Sequence, residues 1–174
     1  MLRRFADAPA ASRAAHPIDA GGAVLTEVLG YQLACASVLT TAVFARAVGG
    51  SLDLRPVEYT ILALLHENPE LTPARLARSL AVTAPNITAW LIRLEQRGLL
   101  KRSTSPSDRR VQLLGLTAAG KRAAREGTQR LVDAEAAALA SLSRGEFMLL
   151  KELLRKVALA AGLDTAAPGV AARG

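Results

Sequence analysis

Two helix starts set close together, each written with threonine and proline, constrain this chain more than any other feature. Thr72-Pro73 puts a capping hydroxyl ahead of a proline at the first helical position, where the missing N–H would be unbonded in any case. Leu76, Ala77 and Leu80 then supply the buried stripe of a short helix. Thr83 opens a second helix with Pro85 still inside its first turn. Ile87, Trp90, Leu91 and Leu94 form its inner face, and Gly98 closes it. Joined through the tight Leu80-Ala81-Val82 turn, the two make a helix-turn-helix.

The flanking periodicity fills in the rest. Helical spacing runs from about Gly22 to Val48 and is expected to stop at Gly49-Gly50. Pro56 starts the next helix, with Glu58 in its first turn and Val57, Ile61, Leu62, Leu64 and Leu65 as its apolar face, and Asn68-Pro69 stops it. After the helix-turn-helix, Leu99–Thr104 and Arg110–Leu116 read as extended segments around the turn-rich Ser105-Pro106-Ser107-Asp108-Arg109, a β-hairpin wing. Thr117 caps a helix through Ala140. Ser143-Arg-Gly-Glu146 is a capping box for a last helix reaching Ala161. The expected fold class is mainly α with a small β-hairpin wing, preceded by a disordered arm over 1–22 and followed by a flexible tail over 163–174.

Charge gives this frame a chemistry. The 174 residues carry 22 Lys+Arg against 15 Asp+Glu. Residues 72–130 alone hold twelve basic and three acidic side chains, 12 − 3 = +9, more than the net +7 of the whole chain. That concentration is the footprint of a polyanion-binding module. Aromatics are only 3%, too few for the stacking platforms that single-stranded nucleic acid requires, so duplex DNA is the expected polyanion. The one cysteine, Cys35, excludes an internal disulfide and a Cys-based zinc site, and His16 and His66 have no metal-ligand spacing. A reducing cytoplasmic setting fits, no metal or other cofactor is expected, and Asp7 with the lack of an apolar run argues against a secretory signal. Val28–Ala45 is uncharged over 18 residues, which touches the lower limit for a membrane span. Its Gln32, Ser37, Thr40 and Thr41 favour a buried interface helix instead, with no membrane partner.

The order of elements, together with three short motifs, resembles the MarR family of bacterial transcription regulators over about residues 25–160. The motifs are Leu94-Glu-Gln-Arg-Gly98-Leu-Leu-Lys-Arg102, Pro106-Ser-Asp108-Arg109-Arg110 and Leu116-Thr117-Ala-Ala-Gly120, in register across the wing. Arg55 stands where the family often has threonine, which weakens a local cap. The resemblance implies a winged helix-turn-helix over 54–118, flanked by an N-terminal dimerisation helix over 23–50 and C-terminal dimerisation helices over 119–162. It implies a homodimer acting on a pseudo-palindromic operator, as a repressor released by a small-molecule effector, often an aromatic acid. Leu131–Leu142 and Phe147–Leu159 are more apolar than a small winged domain can bury alone, which agrees with a dimer.

A recognition helix reads base edges with residues near its N-terminus, here Thr83, Pro85, Asn86, Thr88 and Ala89. Asn86 can pair with adenine, and Pro85 and Ala89 offer apolar contact to thymine methyls. Arg109 and Arg110 on the wing suit a narrow minor groove, with Asp108 aiming an arginine. Arg75, Arg78, Arg93 and Lys101 are expected to be outward-facing phosphate contacts. On a helical wheel, Tyr31, Cys35, Val38, Ala42 and Arg46 fall within roughly 80° of one another. A ligand carboxylate could pair with Arg46, with Tyr59 as a neighbour; equally, the stripe could be the dimer seam and Arg46 could pair with Glu58 or a carboxylate of the other subunit. Some relatives sense peroxide through a first-helix cysteine paired with tyrosines this chain lacks, so Cys35 is expected to be a small core residue.

Gly115-Leu-Thr-Ala-Ala-Gly120-Lys121 imitates a phosphate-binding loop, but Arg122 replaces the serine or threonine that would hold Mg²⁺. No nucleophile–base or paired-carboxylate arrangement stands out, and no enzyme activity is expected. The rival to a specific regulator is an architectural protein that coats duplex DNA without an effector.

Overall fold

The computed structural model of the chain describes residues 23–104 and 112–160. The chain divides into two compact units, Met1–Thr41 and Ala42–Gly174. Helix α1 spans Ala23–Thr26 and α2 spans Leu29–Phe44. Where α1 gives way to α2, the Val28 N–H donates to the Leu25 carbonyl, and the Gln32 amide reaches back 2.8 Å to the Thr26 carbonyl. Farther along α2, the Ser37 hydroxyl donates to the Ala34 carbonyl and the Thr40 hydroxyl to the Ser37 carbonyl, so these polar groups are satisfied within their own helix. Within a single chain α2 leaves most of its apolar side chains open: Val43 is its one buried residue, and Leu29 and Val38 are more than half exposed.

The glycine pair also behaves differently from expectation. Gly49 and Gly50 keep right-handed helical dihedrals, Ala45–Gly49 forms a π-helical segment, and α3 continues over Gly50–Leu52. The stop comes at Asp53, whose φ of 50° and ψ of 43° are left-handed, a conformation that Asp tolerates better than most residues. Glycine inside a helix costs only about 1 kcal/mol relative to alanine, and here the fully buried Val48 of the π segment outweighs it. The helical run Leu29–Leu52, 24 residues, is by length and composition long and apolar enough to cross a membrane.

The winged unit follows the expected order. Helices α4 (Pro56–Glu67), α5 (Pro73–Ser79) and α6 (Ala84–Gln96) precede strands β1 (Leu100–Thr104) and β2 (Gln112–Leu116), then α7 (Ala118–Ala138) and α8 (Arg144–Ala160). The strands pair antiparallel, from Leu100 opposite Leu116 to Thr104 opposite Gln112. Ile61, Leu62 and Leu65 of α4, Leu76 of α5, Ile87, Leu91 and Leu94 of α6, Leu100, Leu114 and Leu116 of the hairpin, and Ala124 of α7 close one core. This spacing of three and four along α4 and α6 is what turns one face of each helix inward.

Caps settle the boundaries. The Thr72 and Thr117 hydroxyls accept from the Arg75 and Gly120 N–H groups, whereas Thr83 occupies the N-cap position of α6 without a side-chain capping bond. Gly98, at φ 66°, ends α6, and the Leu99 N–H returns to the Leu94 carbonyl at 3.0 Å. Ala81 takes a left-handed φ of 52° in the α5–α6 turn, where the Val82 N–H bonds the Ala77 carbonyl.

Two of the short motifs prove to be one joint. The Thr117 hydroxyl donates to the Gly98 carbonyl at 2.7 Å, and its N–H to the Leu99 carbonyl at 3.1 Å. Gly120 then packs so close that a Cβ there would lie 1.9 Å from the Leu99 oxygen. A backbone carbonyl cannot swing aside as a flexible side chain would. Gly120→Ala is therefore expected to cost about 3 kcal/mol or more, lowering the thermal midpoint by roughly 6–12 °C; an unchanged midpoint in calorimetry would refute the close contact.

Helix α8 starts with the expected reciprocal box, the Ser143 N–H donating to Glu146 and the Glu146 N–H to the Ser143 hydroxyl. The hydroxyl and then the backbone of Ser143 hold the Glu146 carboxyl below its ordinary value of 4.5. A lowered carboxylate pKa contributes stability above its unfolded value and loses it as pH falls through the folded one. The stability difference between wild type and Glu146→Gln should accordingly be largest at neutral pH and vanish in acid well below 4.5. Urea titrations showing a difference independent of pH would contradict this.

Candidate nucleic-acid interface

Helix α6 offers its first turn to solvent over a buried base. Ile87, Leu91 and Leu94 are essentially inaccessible, while Pro85, Asn86, Thr88 and Ala89 are all exposed. The Asn86 amide has no hydrogen bond among the described residues, so both its donor and its acceptor are free for a base edge. Thr88 differs, because its hydroxyl donates to the Ala84 carbonyl at 3.0 Å. Thr83, also exposed, precedes this turn in extended conformation.

The opposite end of α6 is tied to α4 by a carboxylate. Glu58 is fully buried, with Arg93 Nε at 3.0 Å from one oxygen and Arg97 Nη1 at 3.7 Å from the other. The second oxygen also accepts the Arg55 N–H at 2.9 Å. Arg55, at the N-cap of α4, has no side-chain acceptor to return that bond, so Glu58 supplies the box from one side only. Arg97 reaches further and donates to the Leu52 and Asp53 carbonyls at the end of α3.

Two expectations are corrected here. Arg93 is not simply an outward phosphate contact, because its guanidinium is drawn to Glu58 and only 43% exposed. Arg46 does not pair with Glu58, whose oxygens are taken by α6. Arg46 sits exposed on the π segment, with no hydrogen bond or ion pair among the described residues.

Arg75, Arg78 and Lys101 are exposed, with no ion pair among the described residues. The Lys101 stem lies across Gly115 on the facing strand. Asp108, Arg109 and Arg110 lie outside the described residues. The helix-turn-helix thus brings Arg75, Arg78 and the α6 tip onto adjoining short helices, with Lys101 on the hairpin that follows. The burial of Glu58 and the ties made by Arg97 and Arg102 were not anticipated. Arg102 of β1 is only 20% exposed and pairs with Glu95 of α6 at 3.2 Å, joining hairpin to helix. The signal for Glu58 was available, an acid three residues ahead of Ile61 on the inward face of α4.

The proposed effector residues fall in both units. The Tyr59 ring packs against Gly127, close enough that a Cβ there would lie 3.0 Å from it, and against Phe44 with ring centroids 5.9 Å apart; its hydroxyl bonds that of Thr128 at 3.0 Å. Tyr31 and Cys35 lie one turn apart in the first unit, where burial and then the thiol push the Tyr31 phenol above its ordinary value. Cys35 is half-buried rather than a core residue, and Val38 is exposed. Gly115 is a strand residue and Gly120 a helix-packing one, so the phosphate-loop spacing describes no loop. No group of metal-binding side chains occurs among the described residues.

Comparison with known proteins agrees with this arrangement. Residues 54–111 match the MarR family. A protein described as a transcriptional regulator for the hcr operon of Thauera aromatica is 31% identical over 132 residues, covering 74% of this chain and 80% of its own. The transcriptional repressor CouR, solved on a 23-mer DNA duplex, is 32% identical with a TM-score of 0.72, over 78% of this chain and 96% of that one. The PcaV regulator of Streptomyces coelicolor, solved with its natural ligand, is 27% identical with a TM-score of 0.68, over 79% and 96%. The chain belongs to the MarR family of DNA-binding, winged-helix transcriptional regulators.

Proposed function

We propose that this protein is a cytoplasmic, homodimeric repressor that reads a pseudo-palindromic duplex operator and is released from it by a small aromatic carboxylate, acting by binding rather than catalysis. The observation that carries the reading is the α6 tip, where the unbonded Asn86 amide stands among exposed Pro85, Thr88 and Ala89 on a helix whose other face is locked in the core. Such a tip suits the major groove, with Arg75, Arg78 and Lys101 as phosphate contacts and Arg109 and Arg110, aimed by Asp108, as minor-groove contacts. The repressor relative solved on DNA supports it.

The dimer is supported by α8, which buries none of its residues in the single chain and leaves Met148 and Leu149 more than half exposed. A two-fold pair of such chains would place its recognition helices about one DNA turn apart. On a duplex selected from a random pool, affinity should exceed that for a scrambled duplex by at least ~10³-fold at physiological salt. Asn86→Ala should cost about 1–3 kcal/mol on the selected duplex alone. Binding within a few-fold on both duplexes would instead favour the architectural alternative.

For the effector, Arg46 is the residue we assign to the carboxylate. It is exposed, unpaired among the described residues, and set on a π-helical segment, a feature frequent at functional sites. Salicylate, benzoate and cinnamate can be screened by their effect on the thermal midpoint. One that binds at a hundred times its Kd should stabilise the wild type by about 2.7 kcal/mol, and Arg46→Ala should abolish that response. An identical response in the variant would remove Arg46 from the site.

A further inference from the structure

We propose that Arg97, together with Glu58, is a positioning residue for DNA reading: it fixes the recognition helix to the end of the N-terminal helical run and thereby sets the angle at which the α6 tip is presented. This deepens the proposed sequence-specific reading and rests on it. Arg97 is the C-cap residue of α6, at the far end from the tip. Its guanidinium donates to the Leu52 and Asp53 carbonyls, stands 3.5 Å from the Asp53 carboxylate, and lies 3.7 Å from buried Glu58.

The geometry makes a three-way tie. The Leu52 and Asp53 carbonyls sit where α3 ends in the left-handed Asp53, and a helix C-terminus leaves carbonyls that need donors. A planar guanidinium can serve both and face a carboxylate at once, which a lysine ammonium, a point charge on a flexible stem, cannot reproduce. Glu58 holds Arg93, one turn earlier on α6, in the same way. The helix is thus gripped at two points on its C-terminal half, while its N-terminal turn projects freely. A small rotation at the grip moves the tip residues across a base step.

The test compares wild type, Arg97→Lys and a packing control, Leu71→Ala, on a duplex selected by the wild type from a random pool and on its scrambled counterpart, at two salt concentrations and at a temperature where circular dichroism shows all three folded. Leu71 is buried in the core, and its truncation lowers stability without touching the tie. Arg97→Lys should weaken binding to the selected duplex about tenfold, the scale of a single mispositioned base-reading side chain, with scrambled binding and the salt slope unchanged. Equal weakening on both duplexes, with a slope reduced by about one, would make Arg97 a phosphate contact and overturn the proposal. A specificity ratio matching that of Leu71→Ala would reduce it to packing and overturn it as well. If the wild type itself did not discriminate, the fault would lie with the sequence-specific reading beneath it.

Discussion

A single carboxylate without access to water organises the helix-turn-helix of this protein. Glu58 lies at the first turn of α4, where the helix dipole favours an anion, yet that alone would not offset its removal from solvent. What faces it is one backbone N–H and two guanidinium groups from another helix. The Leu and Ile contacts between α4 and α6 are tolerant of sliding, because apolar attraction has no direction. An ion pair with hydrogen-bonding partners has direction, and it picks one register among those the apolar faces would accept. Buried pairs of this kind need not add net stability, since desolvation offsets much of the attraction; the effect here is on placement.

The second constraint is a close backbone contact held by hydrogen bonds. Backbone meets backbone where α7 begins beside the start of β1, with the Thr117 side chain and N–H bonding the Gly98 and Leu99 carbonyls. The end of the recognition helix, the base of the hairpin and the start of the long seventh helix are therefore one rigid corner. Arg102 on Glu95 adds a polar tie between the hairpin and α6. The wing springs from that corner, so its direction follows from the same few atoms.

Much of this was legible in the residues. Thr72-Pro73, Thr83-x-Pro85, Gly98, Thr117 and Ser143-x-x-Glu146 each marked a boundary, because capping and proline chemistry are local and need no tertiary knowledge. What stayed hidden was tertiary. Gly49-Gly50 reads as a stop by propensity, and packing of Val48 overrode it. Arg93 reads as a surface cation, and Arg97 carries no reading of its own, because nothing in their spacing reveals that a carboxylate 35 and 39 residues earlier awaits them. Tyr59, assigned to a ligand as a neighbour of Arg46, spends its hydroxyl on Thr128 of α7. Wheels describe one helix and cannot see the partner packed on it.

The Thr88 hydroxyl limits the hydrogen bonds that the α6 tip has to offer. Its one proton is given to the Ala84 carbonyl, so toward a base edge only lone pairs remain. In that state it can meet the exocyclic amino groups of adenine or cytosine, and it turns away the carbonyls of guanine and thymine. Asn86 nearby keeps both polarities. The two side chains thus speak unequal alphabets, one restricted by its own helix and the other free.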